Sequence, residues 1–205
     1  MRVKIDLASP DPRTIRGAAA ALEAGGVLAY PTDTVYGIGC DATLPESVER
    51  IYRIRGHGAG HPLSLLLADV DSVAHYVLLD EPNREILSRC LPGPFTFVLP
   101  AREEVPVKLC TDRRTIGIRV PGCAVTLEIV RALGRPLVNT SAMVSSDEVD
   151  SDPAVIASRL GAGIDLILDA GVRENLPSTV VDLCGERPAL LRLGRGDPDR
   201  CGAAW

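Results

Sequence analysis

Apolar residues fall along this chain in two rhythms, one of strands and one of helices. Val3, Ile5 and Leu7 alternate with polar neighbours, which predicts a half-buried strand over residues 3–7. Ile15, Ala18, Ala19 and Leu22 recur at helical spacing up to Gly25, after a Ser-Pro-Asp-Pro helix start. Residues 27–30 form a short apolar run of strand type, and Pro31 stops it because proline has no N–H to give a ladder. A helix entered at Pro45 carries Val48, Ile51 and Tyr52. The nearly continuous apolar run 63–67 reads as a buried strand.

The second half repeats these signals. Helices are expected over 71–76 and 82–89, a turn over 91–94 and a strand over 95–99. Residues 115–121 alternate: with Ile116 and Ile118 facing the core, Thr115, Gly117 and Arg119 share the other face. A helix over 124–133 ends at Gly134, and a strand over 136–138 runs into Asn139, Thr140 and Ser141. A helix over 153–160 and strands over 164–168, 180–182 and 189–193 follow. Strands outnumber helices and are interspersed with them. This predicts an α/β single domain, a twisted mixed sheet with packed helices, its core spanning about 12–193. Residues 194–205, rich in Gly, Pro and Asp, are expected to form a loosely held tail. Residues 145–152 are polar and acidic and read as a surface loop.

The stretch 25–40 anchors the chain. Its strand ends at Pro31 and delivers Thr32, Asp33 and Thr34 to the loop beyond, where open α/β sheets bind ligands. Gly37 and Gly39 permit a tight turn or a close backbone approach. The competing reading is a capped turn, with Thr32 or Asp33 bonding its own backbone. Asn139 to Ser141 form a second strand-to-loop junction, and with Arg119 and Ser178 these polar positions can gather on one concave face.

Composition narrows the class. Of 205 residues, 46% are hydrophobic but only 3% aromatic, so the core is aliphatic. A net charge of −5 argues against a generally basic nucleic-acid binder and leaves room for a local basic pocket. None of the six cysteines forms a C-x-x-C pair, which argues against structural zinc and for free thiols in a reducing cytoplasm. No signal peptide or membrane span is read, so a soluble cytoplasmic protein with no membrane partner is expected.

Arg55, His57, His61, Arg119 and Arg192 stand at or near element ends, and together they could hold a polyanion. Gly56, Gly58 and Gly60 would let backbone N–H groups approach phosphate. There is no Walker A pattern and no Gly-x-Gly-x-x-Gly after a strand. Ser141 and Ser178 lie outside any nucleophile elbow, which disfavours a hydrolase triad. Asp33 is a single carboxylate, thin support for a metal-bridged phosphate. The residues by themselves point to a polar, partly basic cleft for a phosphorylated ligand.

Six blocks go further: AYPTDTVYGIGCDA, PLSLLLAD, PGPFTFVLP, RTIGIRVP, PLVNTSA and PSTVVDL. In this order they resemble the YrdC family, which includes the threonylcarbamoyl-AMP synthases. The resemblance runs from about Ile15 to Arg192. It implies a twisted open sheet around a basic concave cleft. It also implies a reaction in which L-threonine, bicarbonate and ATP, with Mg²⁺, give threonylcarbamoyl-AMP and pyrophosphate. That product serves N6-threonylcarbamoyladenosine formation at position 37 of tRNA, through downstream t6A-forming proteins. By the same resemblance, Thr32, Arg119, Asn139 and Ser178 would bind L-threonine. Arg55, His57, Thr115, Ser141 and Arg192 would hold ATP. No residue need act as a nucleophile; positioning and charge neutralisation supply the catalysis.

The chain departs from the family pattern in three places. Arg55 stands for the Lys of a Lys-x-Arg motif, His57 for its Arg, and Met143 for the Asn of a Ser-x-Asn motif. These departures, the RIRxxxxxH stretch from Arg53 and the Ser151-Asp152-Pro153 sequence resemble the YciO branch. The alternative the branch implies is a paralogue that binds or acts on RNA or tRNA, double-stranded RNA included, through the same cleft without making the adenylate.

Overall fold

The structure, a computed structural model, describes residues 1–56, 63–142 and 151–202. His57, His61, Met143 and most of the acidic loop fall outside the described residues. Ten strands form one mixed sheet: β1 (Arg2–Lys4), β2 (Leu28–Tyr30), β3 (Gly37–Asp41), β4 (Ser64–Leu66), β5 (Phe95–Pro100), β6 (Thr115–Arg119), β7 (Leu137–Ser141), β8 (Leu166–Asp169), β9 (Thr179–Asp182) and β10 (Ala189–Arg192). Their order is β1-β8-β2-β3-β7-β4-β6-β5-β9-β10. The helices are α1 (Pro12–Glu23), α2 (Pro45–Arg55), α3 (Glu81–Cys90), α4 (Ala124–Leu133) and α5 (Pro153–Leu160). Among the described residues no helix is long and apolar enough to cross a membrane.

The helix ends follow their caps. Asp11 accepts from the backbone N–H groups of Arg13 and Thr14 to start α1, with Pro12 in its first turn. Gly134 closes α4 at φ 73°, a left-handed conformation that glycine adopts without a Cβ penalty. The region 71–76 is a short 3₁₀ segment, Asp71–His75, rather than an α-helix.

The two sheet faces are covered unequally. On one face, Ile38, Leu65, Phe97, Ile118 and Val138 pack with Val48 and Ile51 of α2, Leu87 of α3 and Ile156 of α5. On the other face α1 and α4 cover only part of the sheet, where Ile15, Leu22, Ile129 and Leu133 meet Leu28, Tyr30, Leu66 and Leu137. Among the described residues the same face stays open beyond them, and its alternate positions are polar or small: Ser64, Thr96, Thr115, Gly117 and Asn139. The cleft is therefore the stretch of sheet that no described helix covers.

Four expectations need correction. The first strand lies at 2–4, one residue earlier and shorter than read. Gly37 and Gly39 belong to β3 rather than to a turn. They are small because the Tyr30 ring lies across them: a Cβ on Gly37 would stand 2.8 Å from Tyr30 Cε2 and 2.6 Å from Asn139 Oδ1. Asn139, Thr140 and Ser141 continue strand β7, antiparallel to β3, instead of leaving the sheet as a loop. The described part of the tail, residues 194–202, is docked rather than loose. Thr179 donates to Gly196 O at 2.6 Å, Arg89 donates to Cys201 O at 2.9 Å, and Cys201 is 1% exposed.

Candidate functional site

The open face forms a cleft of about 660 Å³, a size typical of small-molecule sites. Arg55, Arg113, Arg119 and Arg192 stand on its walls against Asp112 and Asp182, so it is locally basic in an acidic chain. Two strand ends set its centre. β6 projects Thr115, Gly117 and Arg119 to the cleft side, as the alternation predicts. Gly117 leaves the floor low, since a Cβ there would sit 3.2 Å from that of Ser64.

Arg119 is held from behind. Its side chain is 5% exposed and its Nη2 donates to Asp33 Oδ1 at 2.5 Å, to Thr34 Oγ1 at 2.7 Å and to Thr32 Oγ1 at 3.2 Å. The second oxygen of Asp33 accepts from the Gly122 N–H at 2.9 Å. The carboxylate of Asp33 is thus spent inside the protein. Among the described residues Arg119 Nε is buried with no hydrogen-bond partner.

Thr32 is set one layer behind the wall. Its hydroxyl donates to Val35 O at 2.7 Å and accepts from the Thr34 N–H at 3.1 Å, so the capped-turn reading describes it. It meets the site through Arg119. Asn139 stands on the wall with its amide fixed from both ends. Oδ1 accepts from Tyr30 Oη at 2.9 Å and Nδ2 donates to Ser64 Oγ at 3.2 Å. Burial pushes the Tyr30 phenol well above its ordinary range, so the hydroxyl stays a donor.

Ser178 closes the other side. Its hydroxyl shares a 2.9 Å bond with Thr96 Oγ1, and Arg192 donates to its carbonyl at 2.9 Å and its hydroxyl at 3.2 Å. Burial, and then the charge of Arg119, lower the Arg192 pKa. Among the described residues Arg192 makes no ion pair. Thr115 and Ser141 face the same cleft, the Thr115 hydroxyl lying 2.7 Å from Thr111 Oγ1. Arg55 reaches it from the last turn of α2, which Gly56 ends at φ 66°. Its guanidinium is likewise shifted down by burial. His57 lies outside the described residues. Of the nine residues singled out from the sequence, seven line one cleft and Thr32 backs it.

Sequence reasoning missed Ser64, Thr96 and the Asp33–Arg119 pair. Ser64 is the lone polar residue of its apolar run, and Thr96 is the polar member of the alternation in β5. Both signals were in the pattern. The ion pair spans 86 residues and leaves no local trace.

A family model for Sua5, YciO and YrdC, described as "Telomere recombination", matches residues 20–194. The chain belongs to the Sua5/YciO/YrdC family. Within that family it is 37% identical to YciO of Escherichia coli K12 over 191 residues, covering 92% of this chain and 93% of that protein. It is 35% identical to the threonylcarbamoyl-AMP synthase of Mus musculus, covering 87% of this chain and 67% of the synthase. The crystal structure of E. coli YciO superposes with a TM-score of 0.92 at 34% identity, over 98% of both chains. That of Pyrococcus abyssi Sua5 complexed with L-threonine gives 0.89 at 30% identity, over 95% of this chain and 57% of that one. The family thus contains threonylcarbamoyl-AMP synthases and the YciO proteins, and this chain shares their twisted open sheet.

Proposed function

We propose that the cleft makes threonylcarbamoyl-AMP and pyrophosphate from L-threonine, bicarbonate and ATP, for tRNA modification. The observation that carries this reading is Arg119: its Nη2 is anchored, and the residue stands on a wall shared with Asn139 and Ser178. Its guanidinium is a group that pairs with a substrate carboxylate. A P. abyssi relative whose structure holds L-threonine supports the same substrate.

The chemistry asks for position more than for reacting side chains. Threonine's amine and bicarbonate give a carbamate and water. The carbamate oxygen then bonds to the α-phosphorus of ATP as the bond to the β-phosphate oxygen breaks. Asn139 and Ser178 orient the amino acid beside Arg119. Arg55, His57, Thr115, Ser141 and Arg192 hold the nucleotide, and the arginines offset charge that develops on the phosphates. Mg²⁺ enters as part of the MgATP substrate, ligated mainly by phosphate and water. Among the described residues no three His, Cys, Asp or Glu side chains cluster to hold a metal.

Pyrophosphate release by the purified protein tests this, with ATP, bicarbonate and Mg²⁺, with and without L-threonine. Threonine-dependent release and threonylcarbamoyl-AMP in the mass spectrum are expected, and Arg119→Ala should abolish both. Absence of release from folded, monodisperse protein would overturn the reading and favour the RNA-acting alternative. Its mark is binding that weakens steeply with salt.

A further inference from the structure

The strongest unassigned feature lies away from the cleft. Cys90, the last residue of α3, and Cys201, in the 3₁₀ turn Pro198–Cys201, are 111 positions apart in sequence. Their sulfurs are 3.5 Å apart, and the two residues are 0% and 1% exposed. Neither belongs to the chemistry described above. We propose that Cys90 and Cys201 are a redox-modification site, whose oxidation by a small disulfide of the glutathione type fastens residues 194–202 to α3.

The step balances without further reactants. One cysteine thiolate attacks a sulfur of the small disulfide, forming a mixed disulfide and releasing one thiolate. The second cysteine, deprotonated, attacks the protein sulfur of the mixed disulfide and releases the second. Two protein thiols are oxidised and one small disulfide is reduced to two thiols. The sulfurs must close from 3.5 Å to about 2.05 Å. The neighbourhood holds the turn in place. Arg89 donates to Cys201 O at 2.9 Å and Arg200 donates to Arg89 O at 2.6 Å. Asp197 caps the turn by accepting from the Asp199 N–H at 3.1 Å. Because the turn is a single coil of four residues, its local opening gives an oxidant access to thiols that the closed form buries.

The fastening reaches the cleft through the backbone. Between Arg192 and the cysteine turn, the chain packs directly behind Ser178. The Gly194 N–H donates to Thr179 Oγ1 at 3.0 Å and the Arg195 N–H donates to Pro177 O at 2.8 Å. Gly196 lies against the Phe95 ring, where a Cβ would stand 2.7 Å from the ring carbons. A covalent tie at Cys201 therefore stiffens the strap that backs one cleft wall. This inference stands whether or not the cleft makes an adenylate.

The test treats native Cys184→Ser protein with oxidised glutathione, Cys184 being the exposed thiol. The expected product is lighter by the mass of two hydrogens, with the Cys90 and Cys201 peptides joined in a non-reducing map. Tryptic cleavage after Arg195 and Arg200 should slow about tenfold on oxidation and recover with reductant. The additional change Cys201→Ser should remove both effects. Oxidation that joins other cysteines, or that leaves Cys90 and Cys201 reduced in folded protein while the unfolded chain oxidises, would overturn the proposal.

Discussion

Replacing Asp33 by asparagine removes a charge while keeping an oxygen for the Gly122 N–H. In the native protein Asp33 Oδ1 meets Arg119 Nη2 at 2.5 Å, with the two side chains 11% and 5% exposed. This is a buried pair, outside the range of surface bridges worth about 1 kcal/mol or less. Removing one partner of a buried pair leaves an uncompensated charge and costs about 3–5 kcal/mol. For a chain of this size that corresponds to a melting point roughly 6–20 °C lower. Urea unfolding of wild type and Asp33→Asn reads the difference as a shift in midpoint at constant slope. The second arm is Asp33→Asn with Arg119→Met, which removes the stranded charge and should recover most of the loss. An Asp33→Asn effect below about 1 kcal/mol would refute the argument, because it would place the pair among screened contacts. Strict additivity in the double variant would also refute it, since residues in direct contact should couple.

Gly39→Ala places a methyl carbon against Tyr30 Oη and 2.6 Å from Val138 O, and should cost about 1–3 kcal/mol by overpacking. Gly17→Ala in α1 is the control: it meets nothing within 4 Å and should stabilise by about 0.5–1 kcal/mol in the same unfolding assay. Asp169 links β1 to β8 through Arg2 and Lys4. Burial tends to raise its pKa, but the Gly171 N–H and the two cations outweigh it and hold the carboxyl below its ordinary value. Its contribution is therefore full above about pH 4 and fades as pH falls through the lowered folded pKa, so Asp169→Asn should flatten the stability–pH curve in acid. Restoring the family pair with Arg55→Lys and His57→Arg should raise threonine-dependent pyrophosphate release, and an unchanged rate would mean the altered pair does not limit the reaction.

What could be read from the sequence follows a physical divide. α4 and α5 lie at the expected residues, 124–133 and 153–160, because local capping marks them. Asp152 accepts from the Ala154 N–H at the start of α5, and Gly134 turns left-handed after α4. β3 was hidden because glycines at 37 and 39 signal a turn unless one knows that an aromatic ring from β2 needs their space. Asn139 to Ser141 resembled a loop because a strand lining an open cleft is polar on that side. The docked residues 194–202 have little apolar content, and their anchors are hydrogen bonds from side chains far off in sequence, such as Thr179 and Arg89, with backbone bonds and one buried cysteine. Seven of the nine residues picked out through family resemblance line one cleft, but the contacts each makes there were not legible. That Thr32 supports Arg119 rather than facing the cleft depends on a pairing across the sheet.

The ring of Tyr30 ties four positions into one unit of inheritance. Its hydroxyl orients Asn139, its face occupies the space a side chain at Gly39 would need, and Gly37 is confined by both the ring and the Asn139 amide. A replacement at any one of the four is judged by the other three, so their effects should not add. This wall of the cleft can therefore drift only by concerted exchange.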